Sequence, residues 1–166
     1  MARFSQMKTT LPPAKDRLSL MKIRSLPVDG TYCYRYRLAD PVLVASIRKL
    51  GILTPIVVSE GARPVVIAGH KRLHAAKAIK MKEVPVSVAA KAKPKDLFLL
   101  NLVSNWGQAC SEMDRAKALG MAVRDLGFKE SDLLSEVMPL LGLPSDKAAL
   151  ELYLKFDQLS GSVKDL

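Results

Sequence analysis

The stretch Val65-Val66-Ile67-Ala68-Gly69-His70-Lys71-Arg72-Leu73-His74-Ala75-Ala76 holds the residues best placed to do chemistry. Its apolar start reads as a buried strand, Gly69 as a junction, and the remainder as a helix with a basic first turn. A helix start offers unpaired backbone N–H groups and the positive end of the macrodipole. Glycine lets a ligand approach the backbone closely, and Lys71 and Arg72 add full charges beside it. That combination suits phosphate or another anion. Taken alone, the run also fits an ordinary strand–helix junction carrying surface cations.

His70 and His74 stand at i, i+4 on one helix face, a spacing that can hold a metal. No third ligand accompanies them, and Lys71 and Arg72 would repel a cation, so no metal site is expected. His70 remains either a hydrogen-bond donor to phosphate or a capping or surface histidine. No Cys/His cluster has the spacing of structural zinc. Cys33 and Cys110 lie far apart and read as reduced thiols.

The 166 residues suffice for one good-sized domain or two small ones, and 49% are hydrophobic, enough for a real core. No apolar run reaches the ~18 residues of a membrane span. Met1 to Leu26 has no apolar stretch of signal-peptide type. The reading is a cytoplasmic protein with no membrane partner. The formal charge of +10 is unevenly spread. Residues 1–95 hold 19 Lys and Arg against 5 Asp and Glu, whereas residues 96–166 hold 7 against 11. Contacts with a polyanion therefore belong to the first half.

The surrounding elements must position these groups. Residues 1–20, with Pro12-Pro13 and scattered charges, read as a flexible arm. Met21 to Val28 alternates and suits a strand. Tyr32-Cys33-Tyr34-Arg35-Tyr36-Arg37 also alternates, as a strand or an extended basic loop. Its rings could stack on bases or pack, and packing is favoured. Asp40-Pro41 is a helix start, with Gly51 as the stop. Thr54–Val58 and Pro64–Ala68 are strands joined by the turn Glu60–Arg63. A helix from His70 to about Lys80 and a strand over Glu83–Val88 complete an α/β unit, residues 21–90. Ala90–Lys95 is a charged linker. From Asp96, which can cap a helix, the pattern is helical to the end. Helices are expected to about Val103, from Ser111 or Glu112 to Leu126, from Ser131 to Leu141, and from Ser145-Asp146 to about Leu159. The chain stops at Lys164-Asp165-Leu166 in what reads as the first turn of a further helix, as a trimmed fragment would.

In this order the pieces resemble the N-terminal region of the ParB family of chromosome- and plasmid-partition proteins, within the ParB/sulfiredoxin-like superfamily. Leu43-Val44-Ala45-Ser46-Ile47 through Gly51-Ile52-Leu53-Thr54-Pro55-Ile56-Val57-Val58 is similar to that family's "SI…G…QPIVV" block, with Thr54 in place of the usual glutamine. Gly69-His70-Lys71-Arg72-Leu73-His74-Ala75-Ala76 is similar to its "GERRxRAA" box, and Val84-Pro85-Val86 to the following strand. Leu102-Val103-Ser104-Asn105 through Ala116-Lys117-Ala118-Leu119 is similar to its "ENLQR…EEARA" box.

The resemblance implies an α+β architecture: a small mixed α/β domain, then an all-α domain over residues 96–166 with a degenerate helix-turn-helix. It implies a nucleotide- and DNA-associated protein of a partition, plasmid or mobile-element system, at the nucleoid or plasmid. Gly69, His70, Lys71 and Arg72 would grip nucleotide phosphates, with Thr54, Pro55 and Asn105 nearby. The nucleotide would be CTP or ATP, with Mg²⁺. DNA, a partition ATPase and a second copy in a homodimer are the implied partners. Three departures bear on activity: His70 replaces the box glutamate, Ser104 replaces the glutamate beside Asn105, and Trp106-Gly107-Gln108 lacks the closing basic residue. Losing a carboxylate weakens a hard-cation site, which argues against efficient nucleotide hydrolysis. The sulfiredoxin cysteine would fall near His70 and is absent.

Ala68-Gly69-His70-Lys71-Arg72 is also close to the "DGHHR"-like loop of free-serine kinases, so a phosphotransferase or a nuclease on the same fold is an alternative. Such an enzyme needs a carboxylate base, with Glu60 and Glu83 as candidates by proximity in sequence. A non-catalytic DNA-binding or adaptor module is the third reading. For DNA contact the candidates are Arg35, Arg37, Ser145 and Lys147. The Ser145–Phe156 helix opens with few base-reading groups, and Asp146 and Glu151 oppose phosphate.

Overall fold

A computed structural model of the chain describes residues 14–27 and 30–162. It divides into two compact units. One contains β1 (Ala14–Lys22), a 3-10 turn (Ile23–Ser25), α1 (Pro41–Leu50), β2 (Ile56–Ser59), β3 (Val66–Ala68), α2 (His70–Ala78) and β4 (Glu83–Ala89). The other contains Tyr34–Tyr36, α3 (Pro94–Ser104), α4 (Glu112–Arg124), α5 (Glu130–Asp132), a π-helical turn (Leu133–Val137), α6 (Met138–Leu140) and α7 (Lys147–Ser162).

The α/β unit is built on one sheet of order β1-β4-β2-β3. β2 and β3 form the expected antiparallel hairpin, with Val57 opposite Ala68. β4 runs parallel to β2, and β1 is antiparallel to β4 with Lys22 opposite Glu83. Ile56, Val58, Val66, Val84 and Val86 are fully buried and close over Leu26, Leu73 and Ala76. α1 begins as its sequence requires: Asp40 Oδ1 accepts from the Leu43 N–H at 3.0 Å, Pro41 follows, and Gly51 ends the helix at φ 73°.

Three sequence expectations change here. β1 begins at Ala14, so residues 14–20 are strand rather than arm, and the chain turns at Ile23 instead of continuing extended to Val28. The register on β4 gives those polar-flanked residues the pairing that their composition does not advertise. Pro94 opens α3 as its first residue, which removes it from the linker and leaves Asp96 in the first turn instead of at the cap. Of the two readings of Tyr32–Arg37, the strand does not form: the segment is an irregular loop, with Tyr32, Cys33 and Tyr34 buried and Arg37 exposed. Residues 1–13, Val28 and the terminal turn at Lys164–Leu166 lie outside the described residues.

The helical unit packs around Phe98, Leu102, Leu119, Val137 and Met138. Phe98 meets Phe128 edge-on at 6.0 Å. α4 has a full capping box, in which the Ser111 hydroxyl and the Asp114 carboxylate exchange hydrogen bonds with each other's backbone N–H. The expected Ser131–Leu141 helix is present as α5, the π turn and α6 in continuous succession. Pro139 lacks the N–H that an uninterrupted α-helix would need at that point. Gly142 (φ 70°) closes it, with Leu143 N–H donating to the Met138 carbonyl at 2.9 Å. Asp146 then caps α7 by accepting from the Ala149 N–H at 2.8 Å. Helix, turn and helix therefore follow in the expected order.

Candidate phosphate-binding loop and the helical half

The hairpin β2–β3 returns the chain to the start of β2, and Gly69 lies there, between β3 and α2. Its φ of 98° and ψ of 22° are left-handed, a conformation costly for any residue with a Cβ. Space is limiting too: a Cβ would stand 3.3 Å from the Ile56 Cα and 3.2 Å from an Arg72 guanidinium nitrogen. The turn at Gly69 aims the start of α2 out of the sheet. Leu73 N–H is the first in the helix to find its acceptor, the Gly69 carbonyl at 3.0 Å. The earlier N–H groups of the first turn have no intrahelical acceptor.

The side chains of this turn divide their work. Arg72 NH1 donates to the carbonyls of Thr54 and Pro55, the latter at 2.7 Å, and so pins α2 to the loop before β2. Burial pulls its pKa below the ordinary arginine value, yet the guanidinium stays cationic. Lys71 is half exposed, with Nζ 3.8 Å from Asp40 Oδ2. Asp40 is the cap of α1, so one carboxylate holds both a helix start and the loop lysine. His70 is buried at the first helical position. The Nδ1 of His74 is buried without a hydrogen-bond partner among the described residues. No three His, Cys, Asp or Glu side chains converge on a metal position among the described residues. Thr54, Pro55, Gly69, His70, Lys71 and Arg72 thus form one local cluster, with a basic, N–H-rich face.

Asn105 belongs to the helical unit, where its side-chain amide donates to the Asn101 carbonyl at 2.8 Å. It lines a cavity of about 470 Å³ together with Tyr34, Arg35, Trp106, Cys110 and Arg115. Glu60 follows β2 at the end of the hairpin remote from Gly69, and Glu83 opens β4 opposite Lys22. Neither is placed in the loop by the strand register.

The proposed DNA contacts fare unequally. Arg35 is committed inside the helical unit: its NH1 donates to the Ala109 carbonyl and lies 3.4 Å from Asp114 Oδ2, with the side chain 9% exposed. The Tyr36 N–H donates to the other Asp114 oxygen at 2.9 Å, and Lys117 stacks on the Tyr36 ring at 4.9 Å. Tyr34 is buried, and burial pushes its phenol up to about 12. The Tyr34–Tyr36 segment is packing, as favoured from its sequence. Arg37 and Ser145 are exposed, whereas Lys147 lies 3.6 Å from Glu130. Cys33 and Cys110 are not disulfide-bonded, and burial raises the pKa of Cys110 away from reactive thiolate.

Sequence reasoning missed two residues. Asp40 was legible as a cap but not as the partner of Lys71, because that contact depends on how α1 and α2 lie together. Asp114 carried a visible signal, the Ser-x-x-Asp spacing of a capping box, but nothing local marked its pairing with Arg35.

Residues 39–106 match the family model described as the ParB N-terminal domain. Among solved structures, the chain is similar to a C-terminally truncated chromosome-partitioning protein ParB from Caulobacter crescentus complexed with CTP-gamma-S. The identity is 18% and the TM-score 0.50, over 78% of this chain and 73% of that one. A Pnob8-like ParB-N domain is 19% identical at TM-score 0.51, over 66% of this chain and 47% of that one. The truncated Caulobacter crescentus ParB complexed to the centromeric parS site is 15% identical at TM-score 0.49, over 76% and 66%. No curated protein matches the chain. With the hairpin, the glycine junction and the basic helix start lying inside the matched span, residues 39–106 match the ParB N-terminal domain, and the chain has a ParB-like fold.

Proposed function

We propose that this chain is a nucleotide-binding, DNA-associated protein of the partition type, and that the Gly69-His70-Lys71-Arg72 loop receives the phosphates of a nucleoside triphosphate. The observation that carries the reading is the left-handed Gly69 at the head of α2, held against Ile56 and fixed by Arg72 on the carbonyls of Thr54 and Pro55. Such a loop presents backbone N–H groups and a positive dipole end to an anion without first having to be ordered. Lys71 supplies the mobile charge by leaving Asp40 for a phosphate oxygen. A solved protein of similar fold holds CTP-gamma-S, which favours a cytidine nucleotide over ATP.

The chain's own carboxylates do not make a Mg²⁺ cage, since Ser104 stands beside Asn105 and no acidic cluster forms among the described residues. Mg²⁺ would enter on the nucleotide phosphates rather than on a carboxylate cage of the chain. This chemistry suits binding and switching more than hydrolysis, with the nucleotide setting how two copies are arranged on DNA. A partition ATPase is the accompanying partner of such a protein.

Calorimetric titration of the chain with CTP, ATP and GTP in Mg²⁺ tests the proposal. CTP is expected to bind, Lys71→Ala to weaken it about tenfold through loss of one charge-assisted phosphate contact, and phosphate release to stay at background. Failure of every nucleotide to bind at millimolar concentration overturns the reading.

A further inference from the structure

We propose that the outer face of α7 is a self-association surface, on which α7 of a second copy lies antiparallel. This goes beyond the phosphate loop and does not depend on it. α7 buries Leu150 and Asp157 against its own unit, and the Asp157 carboxylate meets Arg124 of α4. The opposite side carries Leu152, Phe156 and Leu159, exposed by 66%, 40% and 66%. Their i, i+4, i+7 spacing makes one continuous apolar stripe. Large apolar side chains in a row on a helix mark an interaction face more than scattered exposure does.

The position of the stripe argues against duplex DNA as its occupant. α7 is the second helix of the helix–turn–helix arrangement, where a base-reading helix would present donors and acceptors. Leu152, Phe156 and Leu159 offer neither, and the half of the chain that bears them is net acidic.

Charge complementarity points to a second copy. Glu151 and Lys155 are both exposed and flank the stripe on the same side, one helical turn apart. Among the described residues neither takes part in an ion pair within the chain. In an antiparallel pair of helices each flank meets the same flank of its partner. A two-fold axis near Tyr153 then sets Glu151 of each copy against Lys155 of the other, twice, while Leu152 and Phe156 interdigitate. A parallel pair would set this flank against the opposite one, which carries no matching charge. A helix of 16 residues spans roughly 24 Å, so the contact falls at the small end of specific interfaces and the association is weak.

Sedimentation of the full chain over a concentration series reaching roughly 1 mM, where contacts of this size populate, reads the proposal directly. A monomer–dimer equilibrium is expected, with Leu152→Asp abolishing it. Glu151→Lys and Lys155→Glu should each weaken self-association about tenfold, since both pairs become like-charged. An equimolar mixture of those two variants should regain it, because Lys meets Glu again at every pair. Thermal melts report whether each variant is folded, and these exposed positions should leave the transition in place. The proposal is overturned if the chain stays monomeric across the series. It is equally overturned if the mixture associates no better than its components, or if duplex DNA protects the α7 stripe while the protein remains monomeric.

Discussion

Arg72 stands where a phosphate-gripping cation is expected, yet its hydrogen bonds run inward to the carbonyls of Thr54 and Pro55. Arg72 is therefore the loop's fastener, and in the proposed function the charge that meets the ligand is a different residue, Lys71. Arg72→Ala should lower stability by about 2–3 kcal/mol, because two charge-assisted bonds go and two carbonyls lose their donor, with a fall in Tm on heating. Lys71→Ala should leave Tm nearly unchanged and act on nucleotide affinity, since its contact with Asp40 is half-exposed and long. If both variants lose affinity without losing Tm, the division of roles is wrong. Gly69→Ala combines backbone strain at φ 98° with a Cβ pressed on Ile56 and Arg72. It should cost about 1–3 kcal/mol and blunt nucleotide binding at the same time.

At the scale of elements, the helical unit is locked by two carboxylates with different surroundings. Asp157 of α7 reaches Arg124 across the face of Gly120 in α4, where a Cβ would lie 2.0 Å from Asp157 Oδ2. Gly120→Ala should therefore push α7 off α4 and cost about 1–3 kcal/mol, as overpacking does, seen as earlier chemical denaturation. Asp114 joins the start of α4 to Tyr34–Tyr36. Its burial favours the neutral acid, but hydrogen bonds from Tyr36 and Ser111 and the charge of Arg35 outweigh that and hold its pKa below the ordinary carboxylate value. A depressed folded pKa contributes stability that is complete above the unfolded value of about 4 and is lost as pH falls through the folded value. Melts taken from neutral pH downward should show an acid limb starting below about pH 4, and Asp114→Asn should flatten it while lowering Tm at neutrality. Much of this framework was legible locally: Asp40-Pro41, Ser111 with Asp114, and Gly142 announce helix ends by side chains and backbone needs that are self-contained. β1 was not, because Ala14–Leu20 mixes charges with apolar residues and is strand only by virtue of pairing with β4. Nor was the membership of Tyr34–Tyr36 in the helical unit, which rests on a partner nearly eighty positions away.

Across the whole molecule, charge is partitioned more sharply than the total of +10 suggests: 19 Lys and Arg against 5 Asp and Glu in residues 1–95, and 7 against 11 in residues 96–166. A helix-turn-helix protein would ordinarily engage DNA through its helical half, but here that half opposes phosphate, its Lys147 lies beside Glu130, and Arg35 is held within its core. The α/β half instead exposes Arg48, Lys49, Lys80 and Lys82 to solvent. If duplex association is driven by this half, it is backbone contact, insensitive to base sequence and steeply dependent on salt. Fluorescence anisotropy on a mixed-sequence duplex at several salt concentrations would measure the slope of log affinity against log salt. Replacing Arg48 and Lys49 together by glutamine should reduce that slope by up to about 2, roughly one for each phosphate contact removed. Ser145→Ala with Lys147→Gln should leave it in place. The opposite pattern, a slope carried by Lys147 and indifferent to Arg48 and Lys49, would move DNA contact to α7 and count against an apolar partner on that helix.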